Sequence, residues 1–228
     1  MESTNTSRIR GDVSAEYGRS EDGGLEFSAG AGITLQPGSR WQLSIGPEYE
    51  REVDTQQYVE TRVGGTDATF GSRYIFGHID RSTYATEIRL NYTFQPDLTL
   101  EFYGEPFAAS GRYARLGELT AARARALRTY GTDGTTVTIL EDGQRLVTDG
   151  AERFTLDNED FNVRSFRSNV VLRWEWRPGS LLYLVWQQDR EAEGPPGARS
   201  TLGDMFSSLG TRGDHFFAIK ATFWVSGS

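Results

Sequence analysis

The chain has 228 residues, with 24 Lys and Arg against 32 Asp and Glu, for a formal net charge of −8. That length accommodates one large β-domain or two small α/β domains with a real core. The acidic balance argues against a nucleic-acid partner, which needs a basic stripe. The absence of cysteine excludes a disulfide framework and a thiolate metal site.

With 26 Gly, 7 Pro and 12% aromatic residues, the composition favours strands and turns over helices. Of the 24 cations only Lys220 is lysine, which reads as compositional bias before it reads as function. No apolar run approaches the roughly 20 residues of a transmembrane helix. The opening Met1-Glu-Ser-Thr-Asn-Thr-Ser has neither a basic region nor an apolar stretch, so it does not read as a secretory signal peptide.

Period-two alternation predicts about ten strands, at residues 7–18, 24–36, 40–52, 54–63, 68–78, 82–95, 98–110, 163–177, 180–190 and 213–226. The first sets Ile9, Val13 and Tyr17 against Arg8, Arg10, Asp12 and Glu16. The second sets Leu25, Phe27, Ile33 and Leu35 against Glu26, Ser28 and Thr34, and the third sets Trp41, Leu43, Ile45 and Tyr49 against Gln42, Ser44, Glu48 and Glu50. Residues 56–72 are polar and broken by Gly64-Gly65, so the fourth and fifth strands read as a less marked hairpin followed by a turn near 78–82. The alternation then resumes. Tyr84, Ile88, Leu90, Tyr92 and Phe94 oppose Glu87 and Arg89; Phe166, Val170, Leu172, Trp174 and Trp176 oppose Arg167, Arg173 and Glu175; Phe217, Ile219 and Phe223 oppose Phe216 and Lys220.

Such alternation suits either a soluble sandwich or an outer-membrane barrel whose apolar row faces lipid. Three features favour an antiparallel up-and-down barrel. Strands of about 10–13 residues match a tilted bilayer crossing, whereas sandwich strands average about 5–6. The outward row carries aromatics at its ends, namely Trp41, Tyr49, Tyr84, Phe94, Phe166, Trp174, Trp176 and Phe223. Their ten-residue separation in two strands spans roughly 25 Å along a tilted axis, the height of an apolar band between girdles. Short turns at Pro37-Gly38, Pro96-Asp97 and Pro178-Gly179 alternate with longer connections, as periplasmic turns alternate with extracellular loops.

The connection over residues 111–162 is far longer than a barrel turn. Residues 117–130 are Ala- and Arg-rich and read as a short helix; residues 135–147 read as a hairpin turning at Asp142-Gly143. Charge is segregated within it, with Arg112, Arg115, Arg123, Arg125 and Arg128 ahead of Glu141, Asp142, Asp149, Glu152, Asp157, Glu159 and Asp160. The two halves are expected to fold onto each other as a lid over the barrel mouth. A second loop, residues 191–213, carries Gly194-Pro-Pro-Gly197 and is expected to be mobile.

Several segments resemble one family: Arg73-Tyr-Ile-Phe-Gly-His-Ile-Asp80, Leu90-Asn-Tyr-Thr-Phe-Gln-Pro-Asp-Leu98, Pro106-Phe-Ala-Ala-Ser-Gly-Arg-Tyr113, and Ser168-Asn-Val-Val-Leu-Arg-Trp-Glu-Trp-Arg-Pro-Gly-Ser180 with Val185-Trp-Gln-Gln188. They are similar to uncharacterised outer-membrane-type proteins often described as containing a family-nine carbohydrate-binding domain. The resemblance covers roughly residues 40–226. It implies that these motifs form the C-terminal end of a longer β-rich region behind a carbohydrate-binding-like module. The family supplies no agreed catalytic residues. Because the chain shows neither that module nor a signal peptide, the resemblance implies a C-terminal piece of a larger barrel or a separately encoded part of one.

The polar register supplies candidate lumen-lining residues: Arg8, Arg10, Glu48, Glu87, Arg89, Glu101, Arg167, Arg173 and Glu175. Mixed signs on one face suggest cross-strand ion pairs that hold the barrel and set any pore selectivity. The expected function is a conduit for small or saccharide-like solutes in a bacterial outer membrane. The alternative is a plugged barrel that holds a partner with its 111–162 loop. A hydrolase using His78 with Asp80 and His215 with Asp214 is a third possibility. The expected partners are the lipid bilayer and an upstream carbohydrate-binding-like module or another barrel segment. No cofactor or metal is expected: Asp157-Asn-Glu-Asp160 lacks the spacing of a calcium loop, and no zinc motif or nucleophile elbow occurs.

Overall fold

The computed structural model describes residues 8–224; residue 7 and residues 225–226 of the first and last predicted strands lie outside it. Alternating β-branched, aromatic and polar residues build one antiparallel meander. Its strands are β1 (Ile9–Arg19), β2 (Leu25–Gly38), β3 (Trp41–Val63), β4 (Ser72–Gln95) and β5 (Leu98–Leu119), then, beyond the long connection, β10 (Phe161–Arg177), β11 (Ser180–Glu193) and β12 (Gly213–Thr222). These eight pair in chain order, and β6 (Leu127–Thr129) folds back onto the end of β5. The connection also holds a separate three-stranded sheet of β7 (Thr135–Ile139), β8 (Arg145–Asp149) and β9 (Glu152–Leu156). β1 and β12 are the two edges of the main sheet.

The tight turns after β2, β4 and β10 all lie at one end, here the near end, together with the start of β1 and the end of β12. Gly179, at φ 77°, takes the left-handed geometry of the second central position in a Pro-Gly turn. The long connections all lie at the far end.

Two expectations are corrected here. The predicted strands at 40–52 and 54–63 are one strand, as are those at 68–78 and 82–95, and no turn occurs near 78–82. β3, β4 and β5 run for 23, 24 and 22 residues, about twice what a bilayer crossing needs. They therefore project beyond their neighbours at the far end. The helix expected over 117–130 is absent as well. β5 continues to Leu119 and β6 returns from Leu127, because pairing along β5 overrides the helix propensity of the Ala/Arg run. The one α-helix among the described residues, α1 (Leu202–Ser207), lies in the loop expected to be mobile. The predicted hairpin at 135–147 forms, as β7 and β8.

Register aligns the two chemistries across the sheet. Ile9, Leu35, Leu43, Leu90, Phe102, Val170, Trp186 and Phe217 are successive neighbours on one face, one residue from each of the eight strands. The adjacent row on the other face reads Arg10, Thr34, Ser44, Arg89, Tyr103, Asn169, Gln187 and Phe216. None of the apolar row belongs to the buried core. That core sits at the far end, where Ile75, Leu116, Tyr130, Val147 and Leu156 pack with Val59 and Phe154 between the projecting strands and the small sheet.

Candidate functional site

Of the residues expected to line a lumen, Arg10, Glu48, Glu87, Arg89, Glu101, Arg167, Arg173 and Glu175 share the polar face by register. Arg8 immediately precedes β1, and its carbonyl accepts from the Gln36 amide. The expected ion pairs form only partly across strands. Arg167 faces Asp189 of the neighbouring strand at 3.6 Å, and Arg81 meets Glu52 at 2.7 Å. Arg89–Glu87, at 2.7 Å, and Arg173–Glu175, at 3.7 Å, run along a single strand instead. Arg89 also lies over the Tyr103 ring, whose hydroxyl donates to Glu105. All are partly or well exposed, so this face is a wet, mixed-charge surface and its pairs hold little of the fold together.

Trp41, Tyr49, Tyr84, Phe166 and Trp174 lie on the apolar face by register. Tyr49 and Tyr84 meet across β3 and β4 at 4.7 Å between centroids, their rings tilted by 38°, near the far side of the band. At the near end, Tyr92 meets Phe94 edge-on and Trp176 meets Phe223 edge-on. Phe166 differs from the other aromatics expected at the membrane interface, being buried where β10 passes beneath the 194–213 segment.

The most organised polar group lies at the far end, on the continuation of the polar face. Arg73 of β4 is buried and reaches three carboxylates: Glu118 of β5 at 2.8 Å, Asp149 of β8 at 3.0 Å and Glu152 of β9 at 2.6 Å. Arg128 of β6 bridges Asp149 at 2.7 Å and Glu118 at 3.2 Å, and the Tyr130 hydroxyl donates to Glu118 at 3.0 Å. Phe154 takes the guanidinium groups of Arg62 and Arg73, each 5.2 Å from its ring centroid. The clamp thus joins the main sheet to the small one, which covers the polar face of the projecting strands. A cavity of about 270 Å³ opens beside it, bounded by Gly64, Thr66, Arg73, Glu118, Arg128 and Asp149.

Proton affinities follow this geometry. The hydrogen bond from Arg128, with help from Arg73 and against burial, holds the Asp149 carboxyl below the usual carboxylate range. Burial, reinforced by the Glu118 charge, raises the Tyr130 hydroxyl above the usual phenol range. For Arg73 burial acts against the charge, but its hydrogen bonds to Glu152, Asp149 and Glu118 outweigh it and raise its proton affinity.

Of the segregated charges in the 111–162 connection, the basic half meets the later acidic half through one ion pair among the described residues, Arg128–Asp149; Arg145–Asp160, at 3.4 Å, lies within the acidic half. Asp160 also accepts from the Tyr113 amide, and Asp157 accepts from Gln144. Arg73 was missed, although its phase with Ile75, Gly77 and Ile79 marks an arginine on a buried row. His78 and His215 stand on β4 and β12, four strand spacings apart, and register sets His215 level with Ile88 of β4 rather than with His78. Asp80 is held by Arg51 and Arg199, and His215 accepts from the Trp186 indole. Among the described residues no cluster of three or more His, Asp or Glu could hold a metal ion. No helix among them is long and apolar enough to cross a membrane, a criterion that does not apply to strands.

Fold and site together define an all-β protein with one amphipathic antiparallel meander, lidded at one end of its polar face. The family model described as "Domain of unknown function (DUF5916)" matches residues 1–226, and the chain belongs to that family. No curated protein matches it.

Proposed function

We propose that the chain is the membrane-embedded part of a bacterial outer-membrane β-barrel. In this reading it conducts small solutes along its polar face, with the β7–β9 sheet as an extracellular lid. The observation that carries the reading is the apolar row across all eight strands, Ile9 through Phe217, which nothing else among the described residues buries. A band of that kind in water would be a large aggregation-prone patch, whereas lipid satisfies it. The saccharide-like class of solute rests on the family-nine carbohydrate-binding resemblance alone.

Lipid cannot satisfy unpaired strand edges, so β1 and β12 need partners. Strand direction limits the choice. β1 runs away from the near end and β12 returns to it, so the two can pair antiparallel directly. Otherwise an even number of strands must intervene, from an upstream segment or another barrel piece.

Refolding residues 1–228 in detergent and comparing boiled with unboiled samples on a gel tests this. A heat-modifiable, protease-resistant band is expected if the chain closes alone, and steady single-channel openings would then support the conduit. A protein that folds and stays monomeric in plain buffer overturns the membrane reading.

The buried Arg73 clamp favours a second reading, a barrel plugged by its lid that holds a partner there. Silent membranes that begin to conduct on deletion of residues 120–160 would support it. A hydrolase has less support, given the separation of the two histidines.

A further inference from the structure

The segment between β11 and β12 does not hang free from the far end. It folds back over the apolar face. The Ser200 amide donates to Ser110 Oγ, Asn162 Nδ2 donates to the Ala198 carbonyl, and Arg199 reaches Asp80 at 2.6 Å. α1 is nucleated by a capping box between Thr201 and Asp204 and lies across β4, β5 and β10. Met205 is buried against this face with its sulfur 3.5 Å from Thr86 Oγ1, and Ser208 is buried as well.

The strands beneath are shaped for it. At the lipid-band rows nearest the far end, β4, β5 and β10 present Ser82, Thr86, Gly104, Ala108, Ser110 and Ser168 rather than the Leu, Ile and Val found nearer the turns. These small or polar residues make a recess that suits a helix better than acyl chains. Phe166, which would otherwise stand in the far girdle, is only 8% exposed. The segment in turn displays its own large apolar side chains: Leu202 is 56% exposed, Phe206 59% and Leu209 44%. Leu202 and Phe206, at i and i+4, share one side of α1, and Leu209 follows in the 3-10 turn Ser208–Gly210, while Asp204 and Ser207 fall on a different side of the helix.

We propose that residues 200–210 form an interfacial anchor, with Leu202, Phe206 and Leu209 inserted into the outer boundary of the bilayer. They would supply the interfacial contact over β5 and β10, where the far-end aromatic Phe166 is covered. The inference rests on the lipid-facing reading of the apolar band, with which these side chains are continuous. It specifies the partner as the headgroup–acyl boundary, where amphipathic helices bury their apolar side about 5–10 Å deep.

The absence of native cysteine makes the test clean. Phe206→Cys, Leu202→Cys, Ser207→Cys, Leu90→Cys and Asp142→Cys would each be labelled with an environment-sensitive fluorophore. The full chain would then be reconstituted in phosphatidylcholine vesicles carrying nitroxides at shallow or deep acyl positions, with iodide as aqueous quencher. The expected result is at least about twofold stronger quenching of the 206 and 202 labels by shallow nitroxide than by deep. The 207 and 142 labels should answer to iodide and the 90 label to deep nitroxide. If the 90 label is lipid-quenched while the 206 and 202 labels respond only to iodide, or to neither quencher, the anchor is wrong and the band reading survives. If the 90 label is not quenched by lipid either, the band reading fails and the anchor with it.

Discussion

The near and far halves of the sheet have the same backbone but opposite ways of disposing of apolar surface. In the near half one face is apolar along every strand and the other is polar from β1 to β5 and mixed beyond, where Val171, Leu181, Tyr183, Val185 and Phe216 interrupt it, and among the described residues neither face is covered. In the far half both faces carry protein: the β7–β9 sheet on the polar side of β3, β4 and β5, and the 194–213 segment on the apolar side. Every fully buried large side chain belongs to the far half or to the pieces packed on it, including Ile75, Ile79, Leu156 and Met205. An alternating strand therefore says which residues share a face, and only the neighbouring mass says whether that face is core, lumen or lipid contact.

The sharpest way to break the far half is through Arg73. Arg73→Ala leaves the largely buried Glu118 and Asp149, and the more exposed Glu152, without their shared partner. Removing one member of a buried ion cluster costs about 3–5 kcal/mol, so the lid should detach. Limited proteolysis should cut first within residues 120–160 while the near half stays protected. Uniform loss of protection would instead make the clamp essential to the whole sheet.

The near half has its own probe. Leu90→Arg puts a charge at the middle of the apolar row and should cost about 2–4 kcal/mol in a bilayer-embedded barrel. The measurement is the denaturant midpoint in lipid vesicles. An unchanged midpoint there would argue that this row never meets the hydrocarbon.

These two probes also mark what the sequence made legible. The near half could be read because the phase of its hydrophobicity never changes: Ile88, Leu90 and Tyr92 all sit on even positions. From Ile79 back toward the far end the buried residues are odd, Ile79, Ile75 and Arg73, because the small sheet covers the opposite face. That switch of phase looked like a turn near 78–82, and a 24-residue strand was divided in two. The Ala/Arg run at 117–130 misled for a related reason. Glu118 and Arg128 are fixed by Arg73 and Asp149, contacts made across distant stretches of chain that no local propensity encodes, and Glu118 in turn holds Tyr130. The placement of α1 was equally out of reach, since six residues carry little periodicity and the recess that receives them comes from three different strands.

pH sharpens the comparison from both sides. The Asp149 carboxyl is held below its ordinary range, so its contribution is present above the unfolded value of about 4 and is lost as pH falls through the lower folded one. The Tyr130 hydroxyl is raised, so its contribution is complete below its unfolded value of about 10 and fades as pH rises through the higher folded one. The protection of β7–β9 amides, taken relative to their intrinsic exchange rate at each pH, should therefore fall below about pH 4 and above about pH 10, ahead of that of β11. Tyr130→Phe, which deletes one hydrogen bond to a charged group, should cost about 1.5–3 kcal/mol and remove the alkaline limb alone.

The smallest effect on stability is expected on the near half's polar face. Arg167 and Asp189 are both about two-thirds exposed, at 68% and 66%, and 3.6 Å apart, so solvent already screens most of their attraction. Arg167→Gln should leave the unfolding midpoint where it is. If the polar face is a lumen, though, the loss of one positive charge from its wall shifts the cation-to-anion permeability ratio toward cations, because a pore wall repels ions of its own sign. A reversal potential that moves in a salt gradient while the midpoint stays fixed would separate a conducting surface from a merely solvated one. If the reversal potential also stays fixed, the ion path does not run past β10 and β11, and the conduit must be sought elsewhere along the sheet.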